Sequence, residues 1–292
     1  MQEFTERVAV VTGAASGIGR AFADRAAALG MRVVLADVEK KALDAAAGEL
    51  AASGADVLAV PTDVSDPAAV EALARSAVDH YGGVHVVFNN AGVLVAGSIW
   101  ECTLEELRWT VDVNLWGVIH GMHTFVPILL EQGVPAHVVN TASMAGLTAA
   151  PFLDIYNATK HAVVALSESL YKELVLLGSP VRASVVCPGL IRTRIMQSER
   201  NRPGASDRDP DRRELSPGGA MITQFLNDGI AADGAGWPPE RVAEAAFDAI
   251  REERFYVIPA QDEVKDGMVQ RIDELREGRN PGTPAILTEG AR

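Results

Sequence analysis

Hydrophobic residues follow two alternating patterns along most of the chain. Short runs rich in Val and Ala are apolar at nearly every position, and between them lie longer stretches in which apolar residues recur with helical spacing. Runs that are apolar on both faces are typical of strands covered by helices on both sides. The strands predicted in this way are RVAVVT, RVVLAD, DVLAVP, VHVVFN, AHVVNTAS and VRASVVCP, with FYVIP as a short last strand.

The amphipathic stretches between these runs complete the fold prediction. They predict a helix ending at Leu29 and further helices at 39–52, 66–81, 103–131 (two stretches), 154–177, 238–253 and about 262–277. Alternation of strands and helices predicts right-handed crossovers and a parallel sheet. We therefore expect an α/β fold in which a doubly wound parallel sheet of about seven strands forms a single domain over residues 1–292. Ligands of such sheets lie beyond the carboxyl ends of the strands.

The alternation stops at 194–236. RIMQSERNRPGASDRDPDRRELSPGG is dense in charge, Pro and Gly, and apolar residues return only in AMITQFLNDGIAADG. A segment of this length is either a disordered surface insertion or a functional loop. The apolar residues that flank this segment favour the second alternative, in which the segment is a lid that covers a substrate pocket. A C-terminal helical extension of about 260–292 closes the chain.

Charge and composition narrow the range of partners. The chain has 292 residues, 48% of them hydrophobic, and a net charge of −13, so nucleic acid and anionic membranes are disfavoured. Two cysteines and an acidic N-terminus without a signal-like pattern favour the cytoplasm. Val113–Leu130 carries no formal charge, but it contains Asn114 and Pro127 and is interpreted as a buried or subunit-facing helix. His120 and His123 lack a third ligand, so no metal site is expected.

A glycine-rich turn follows the first strand. TGAASGIGR places Gly13, Gly17 and Gly19 at the start of a helix. This arrangement brings backbone N–H groups and the positive end of a helix dipole against a pyrophosphate. The sequence thus predicts a dinucleotide site after the first strand.

Asp37 at the end of the second strand indicates which dinucleotide is bound. Its carboxylate can accept hydrogen bonds from a ribose diol and would repel a 2′-phosphate. Neither Ser16 nor Val38 supplies the cation that NADP requires, so NAD is predicted and NADP is less favoured. Asp63, after the third strand, either meets the adenine edge or caps a helix or turn.

YNATK at 156–160 contains the candidate acid/base. A Tyr and a Lys four residues apart share a helix face, and most such pairs are merely solvated. At about 5 Å and an effective dielectric near 20, a Lys160 ammonium would favour the Tyr156 phenolate by about 3 kcal/mol, or roughly 2 pKa units. A phenol so perturbed could act as a general base.

Seven motifs in this order resemble the short-chain dehydrogenase/reductase family, in its single-domain NAD(P)-dependent branch with TGxxxGxG and YxxxK. They are TGAASGIG, TDV with Asp63, NNAG at 89–92, VNLWG with Asn114, NTASMAG with Ser143, YNATK and PGLIRT at 188–193. The resemblance covers residues 5–195 and implies a Rossmann-type fold. It also implies a catalytic tetrad of Asn114, Ser143, Tyr156 and Lys160.

Family roles carry over to these positions. Tyr156 would exchange the proton of the alcohol, Ser143 would hydrogen-bond the substrate oxygen, and Lys160 would also bind the ribose. Asn114 would anchor a water for Lys160, or fix a helix kink, or both. The implied cofactor-binding residues are Gly13, Ser16, Gly17, Ile18, Gly19, Asp37, Asp63, Val64, Asn90, Ala91, Gly92, Tyr156, Lys160, Pro188, Gly189, Ile191 and Thr193.

The expected function is an NAD-dependent oxidoreductase that interconverts an apolar secondary alcohol and its ketone. An NADP-dependent ketone reductase and a non-catalytic NAD sensor remain as alternatives. The expected substrate pocket is formed by Ser143, Ala145, Phe152, Met196, Met221 and Phe225.

A homodimer or homotetramer is expected, with the helices at 103–131 and 154–177 favoured as a dimer contact. The C-terminal helix could cover the last strand and so argue against a tetramer.

Overall fold

The computed structural model describes residues 1–204, 215–231 and 236–282. Within these residues the strands form one seven-stranded sheet in the order β3-β2-β1-β4-β5-β6-β7, and every neighbouring pair is parallel. The strands are β1 (Val8–Thr12), β2 (Arg32–Asp37), β3 (Val57–Pro61), β4 (Val86–Asn89), β5 (Ala136–Thr141), β6 (Val181–Val186) and β7 (Tyr256–Val257). The predicted doubly wound parallel sheet is confirmed.

Apart from α7, which lies in the segment predicted as a lid, the helices begin and end within two residues of the predicted stretches. They are α1 (Gly17–Ala28), α2 (Lys40–Ala52), α3 (Pro67–Tyr81), α4 (Leu104–Val111), α5 (Gly117–Gln132), α6 (Asp154–Leu176), α7 (Pro217–Ala231), α8 (Pro239–Glu252) and α9 (Asp262–Glu277). A π-helical turn, Asp112–Trp116, joins α4 to α5, and 3₁₀ turns cover Met144–Gly146 and Ile195–Asn201.

Side chains of the central strands alternate between two buried layers. On one face, Phe88 of β4 stacks on Phe22 of α1 with ring centroids 4.4 Å apart and also contacts Phe247 of α8. On the other face, Val8 and Val10 of β1 pack in the layer that contains α3, α5 and α6. Burial on both faces explains why the strands read as continuous apolar runs.

The strand order reverses between β1 and β4. From β1 the chain builds outward to β3, and it then crosses to β4 on the other side of β1. Crossovers on either side of this point diverge and leave a crevice at the carboxyl ends of the two strands. The residues after β1 and β4 therefore begin the candidate site.

The helical stretch Leu104–Gln132 is long and apolar enough to cross a membrane by length and composition alone. One face of it packs on the sheet, with Phe125 and Leu129 fully buried. Its other side leaves Trp116 and Leu130 exposed. The buried face agrees with the expectation of a core helix, and contact with a second subunit stays a prediction.

Two segments after β6 lie over the carboxyl edge of the sheet. The predicted lid at 194–236 contains the Ile195–Asn201 turn and α7, whereas 205–214 and 232–235 lie outside the described residues. Helix α9 has the bounds expected for it and packs on the Met144–Gly146 turn. Tyr256 of β7 stays 46% exposed, so α9 does not cover this side chain of the last strand. Val264 and Met268 of α9 nevertheless pack in one cluster with Phe255 and Ile258, which flank β7, and the choice between dimer and tetramer stays a prediction.

Candidate active site

The glycine loop after β1 is shaped by close approaches that exclude side chains. Gly13 and Gly17 have φ values of +66° and +57°, in the left-handed region that favours glycine. A Cβ on Gly19 would lie 2.1 Å from the Gly13 carbonyl oxygen. Ser16 begins α1 without a side-chain hydrogen bond to the first turn, so the N–H groups there remain available to an anion. The loop fits a pyrophosphate.

Asn90 ties the loop to the ends of the neighbouring strands. Its Nδ2 donates to the Thr12 carbonyl at 2.9 Å, and its Oδ1 accepts from the Thr141 hydroxyl at 3.2 Å. The Thr12 hydroxyl in turn accepts from the backbone N–H groups of Asn90 and Ala91. These bonds fix the floor of the crevice between β1, β4 and β5.

Asp37 ends β2 with a nearly buried carboxylate. Its two oxygens accept from the backbone N–H groups of Ala15, at 3.0 Å, and Glu39, at 2.9 Å. A carboxylate has about four acceptor positions, so capacity remains for a ribose diol. The chemistry at this end of the crevice fits an adenosine ribose.

Asp63 lies on the wall of the same crevice but does not cap the helix. Its Oδ1 accepts from the backbone N–H and the hydroxyl of Ser65 at 2.9 and 2.7 Å, which is a turn role. The N-cap of α3 is Asp66, whose carboxylate accepts from Ala68 N–H at 2.9 Å. Of the two structural alternatives for Asp63, the turn is therefore the one observed.

Tyr156, Ser143 and Lys160 meet at the carboxyl end of β5. The Ser143 hydroxyl accepts from the Ala145 N–H at 3.1 Å and is near enough to the Tyr156 phenol to lower its pKa. The Lys160 ammonium lies 5.6 Å from the centre of the Tyr156 ring and donates to the Thr141 carbonyl at 3.0 Å. Tyr156 and Lys160 stand one turn apart near the start of α6, and the crevice brings Ser143 to them from the loop after β5.

The pKa values of this group differ from the expectation drawn from spacing. Burial raises the pKa of Tyr156, and the hydrogen bond from Ser143 only partly opposes that rise. Burial also lowers the pKa of Lys160 to about 8. The expected fall of roughly 2 pKa units at Tyr156 is therefore wrong for the protein groups alone, because desolvation of the phenolate outweighs the opposing effect of Ser143.

Asn114 is fully buried in the π-helical turn and does not line the crevice. Its side-chain amide donates to the Val93 carbonyl and accepts from the Val93 N–H, each at 2.8 Å. This pairing joins the turn to the chain leaving β4, which supports the backbone-fixing role. A Cβ on Gly92 would lie 3.4 Å from Asn114 Oδ1 and 3.5 Å from Lys160 Nζ, so both side chains approach Gly92.

One cavity of about 670 Å³ connects the glycine loop with Tyr156. All of the residues expected to bind the cofactor line it, as do Ser143, Ala145, Met196 and Phe225 from the expected substrate pocket. Phe152 and Met221 do not line it, contrary to expectation. The Phe152 ring packs beneath α7 where a Cβ on Gly218 would sit, and Met221 lies on the exposed side of α7.

Two parts of the cavity wall were not expected from the sequence. One face of α9 lines the substrate end with Glu263, Val264, Gly267, Gln270, Arg271 and Glu274. At the adenosine end, Arg200 of the 3₁₀ turn forms an ion pair with Glu39, at 2.8 Å. The sequence predicts helix α9 by its periodicity, but it does not indicate what the helix packs against. Nothing near Asp37 in the sequence indicates that Arg200 lies at this end of the cavity.

Comparison with known proteins identifies the family. The family model described as short chain dehydrogenase matches residues 7–204. The chain belongs to the short-chain dehydrogenase family. It is thus an oxidoreductase acting on CH–OH groups, with a Rossmann-type fold for a nicotinamide dinucleotide.

Several short-chain dehydrogenases are similar over most of the chain. A 1-deoxy-11-beta-hydroxypentalenate dehydrogenase of Streptomyces avermitilis is 40% identical over 87% of this chain and 84% of its own length. Its namesake from Streptomyces exfoliatus is 48% identical over 65% of this chain and 70% of its own length. A crystal structure of a short-chain dehydrogenase/reductase from Burkholderia phymatum in complex with NAD is 42% identical, with a TM-score of 0.91 over 97% of this chain and 99% of that one.

Proposed function

We propose that the protein is an NAD-dependent dehydrogenase that interconverts an apolar secondary alcohol and its ketone, with Tyr156 as the acid/base. The observation that carries the proposal is one cavity with the glycine loop and Asp37 at one end and Ser143, Tyr156 and Lys160 at the other. Such a cavity can hold a dinucleotide and a small substrate together.

The chain's own groups supply the proton chemistry. Bound NAD would supply the acceptor for hydride from the carbinol carbon. The Ser143 hydroxyl would hydrogen-bond the substrate oxygen and orient its proton toward the Tyr156 phenol. Tyr156 would remove that proton, and its anion would be stabilised by Ser143 and by the buried Lys160 ammonium.

Lys160 and Asn114 are proposed to hold the proton route open. Lys160 is almost fully buried, and its pKa of about 8 lets it release a proton near neutral pH more readily than an ordinary Lys. Asn114 Oδ1 approaches Gly92 from the same side as Lys160 Nζ. A water bound between them would connect Lys160 to solvent, which adds to the observed structural role of Asn114.

The substrate is proposed to be an apolar alicyclic alcohol. Close to Tyr156 the cavity is lined by the apolar side chains of Ala150, Leu153, Ile222, Phe225 and Leu226. Further apolar side chains line the same cavity, namely Ala145, Ala149 and Ile230. Two of the similar proteins are named for a hydroxypentalenate. An acidic group on such a substrate would find Arg271, whose guanidinium donates to the Leu147 carbonyl at 3.3 Å.

NADP remains the second candidate cofactor because the adenosine end contains Arg200. In this structure Glu39 pairs with that arginine, which supports NAD as the first choice. The non-catalytic sensor is disfavoured, because a module that only binds NAD has no need of Ser143, Tyr156 and Lys160 together. A cytoplasmic homo-oligomer also belongs to the proposal.

A panel of alicyclic, aryl and steroidal secondary alcohols with NAD tests this function. We expect absorbance of the reduced nicotinamide to rise with at least one alicyclic alcohol, and we expect the Tyr156→Phe protein to give no signal. NAD binding without turnover across the whole panel would instead support the sensor.

A further inference from the structure

An ion pair joins the lid to the adenosine end of the cavity. Arg200, in the Ile195–Asn201 turn, donates from Nε and Nη2 to Glu39 Oε1 at 2.9 and 2.8 Å. Asn201 Nδ2 donates to the same oxygen at 3.1 Å. Three donors on a single carboxylate oxygen hold the two chain segments together.

The ion pair lies beside the carboxylate expected to bind the ribose. The backbone N–H of Glu39 donates to Asp37 Oδ1 at 2.9 Å, so the two acidic residues share one turn. Asp37, Val38, Glu39, Arg200 and Asn201 all line the cavity that also contains the glycine loop. Arg200 is therefore a cation at the end of the site where NAD and NADP differ.

The guanidinium of Arg200 is held in place by its other contacts. Its Nη1 donates to the carbonyl oxygens of Arg194 and Gln197 at 3.2 and 2.9 Å. Burial alone would raise the pKa of Glu39, but hydrogen bonds from Arg200 and Asn201 and the charge of Arg194 hold it below its usual value. Glu39 is thus charged at neutral pH and neutralises a fixed arginine.

A 2′-phosphate is the ligand that such an arginine would otherwise bind. Planar guanidinium groups bind phosphate through two parallel N–H donors, and such charge-assisted hydrogen bonds are stronger than those between neutral groups. In this chain the carboxylate of Glu39 already holds the two donors.

We propose that Glu39 is a cofactor-specificity residue that acts by occupying Arg200, so that the lid carries a masked binding group for the 2′-phosphate of NADP. This inference rests on the proposed use of a nicotinamide dinucleotide. The effect proposed for Glu39 differs from that of Asp37. Asp37 repels a phosphate directly, whereas Glu39 acts through Arg200 on another segment of the chain.

The test is a double-substitution cycle with Glu39→Gln, Arg200→Gln and the double variant. One readout is kcat/KM with NADP and with NAD. The other is the affinity for adenosine 2′-monophosphate (2′-AMP) and for adenosine 5′-monophosphate (5′-AMP), measured by calorimetry. We expect Glu39→Gln to raise the NADP-to-NAD ratio of kcat/KM, and the affinity for 2′-AMP, by about tenfold, which corresponds to about 1.4 kcal/mol. Adding Arg200→Gln should cancel both gains.

Two results would overturn the proposal. One is an unchanged ratio and an unchanged 2′-AMP affinity in Glu39→Gln. The other is a gain that survives in the double variant, because Glu39 would then act only by repulsion. Since 2′-AMP binding needs no turnover, failure of the proposed reaction would leave this readout intact. Thermal unfolding of each variant verifies that it is folded.

Glu253→Gln is the matched control. It breaks an ion pair of the same length, Arg182 Nε to Glu253 Oε2 at 2.8 Å, near the amino end of β6. That end of the sheet is opposite to the cavity, so we expect the cofactor ratio to stay as in the unsubstituted protein. An equal shift in this control would count against the proposal.

Discussion

At the scale of one residue, the proposed catalytic role of Lys160 has a cost in stability. A buried ammonium costs free energy, and burial lowers its pKa from 10.5 to about 8. The folded chain then binds fewer protons than the unfolded chain between these two pH values, so this group makes the fold more stable as pH rises from 8 toward 10.5. Below pH 8 the cost is fully present, at about 3 kcal/mol.

Lys160→Met should therefore stabilise the fold at pH 7 while it removes turnover. We expect a gain of about 1–3 kcal/mol, the lower values reflecting loss of the bond to the Thr141 carbonyl. Urea unfolding at pH 7 and pH 9.5 measures it, and the gain should shrink at the higher pH. A variant less stable than the parent at pH 7 would contradict this reading of Lys160.

A second prediction for a single residue concerns Gly19 in the glycine loop. Because an added Cβ would lie 2.1 Å from the Gly13 carbonyl oxygen, Gly19→Ala must displace the loop backbone. We expect NAD affinity to fall at least about tenfold and stability to fall by about 1–3 kcal/mol. Gly48→Ala in α2 is the control. No atom lies within 4 Å of its added Cβ, so this change should stabilise the helix by up to about 1 kcal/mol.

At the scale of elements, the order and type of helices and strands could be predicted, but several contacts between them could not. The bounds of α9 follow from helical periodicity, whereas its packing against the Met144–Gly146 turn depends on segments far apart in sequence. Helix α7 illustrates the same limit. Ile222 is buried and its neighbour Met221 is exposed, and both are equally apolar in the sequence.

Helix α9 carries a further expectation about the substrate. Among the described residues, no carboxylate lies within ion-pair distance of Arg271, which lines the cavity. We expect Arg271→Gln to raise KM about tenfold for an alicyclic alcohol bearing a carboxylate and to leave KM for its uncharged methyl ester unchanged. Arg276→Gln, on an arginine paired with Asp273, is the control. Equal effects on acid and ester would refute the role of Arg271.

At the scale of the whole molecule, the sequence pattern predicted the fold class, which is confirmed, and the residues that line the candidate cavity. Five of the seven motifs were recognisable because each begins at the end of a strand, whereas VNLWG lies in the π-helical turn and YNATK lies in α6. The ion pair of Glu39 with Arg200 was not recognisable, since these residues are 161 positions apart and meet only where the Ile195–Asn201 turn lies beside the end of β2.

Subunit assembly is also a property of the whole molecule. The outer faces of α5 and α6 expose Leu130, Val175 and Leu176, and the π-helical turn before α5 exposes Trp116. We expect light scattering to give a multiple of the chain mass of 31.0 kDa. Leu176→Glu should lower that mass, and Val269→Glu on α9 should not. A monomer before any substitution would exclude the proposed contact.

The most direct test of the proposed mechanism compares Tyr156→Phe with the parent protein. Because the phenol oxygen is the proposed proton acceptor and does not hold the dinucleotide's pyrophosphate, the two properties should separate. We expect kcat/KM for a secondary alcohol to fall by about 10³-fold, within the range of general acid–base catalysis, while the Kd for NAD changes by less than about threefold. Turnover retained within about tenfold of the parent would contradict the assignment of Tyr156.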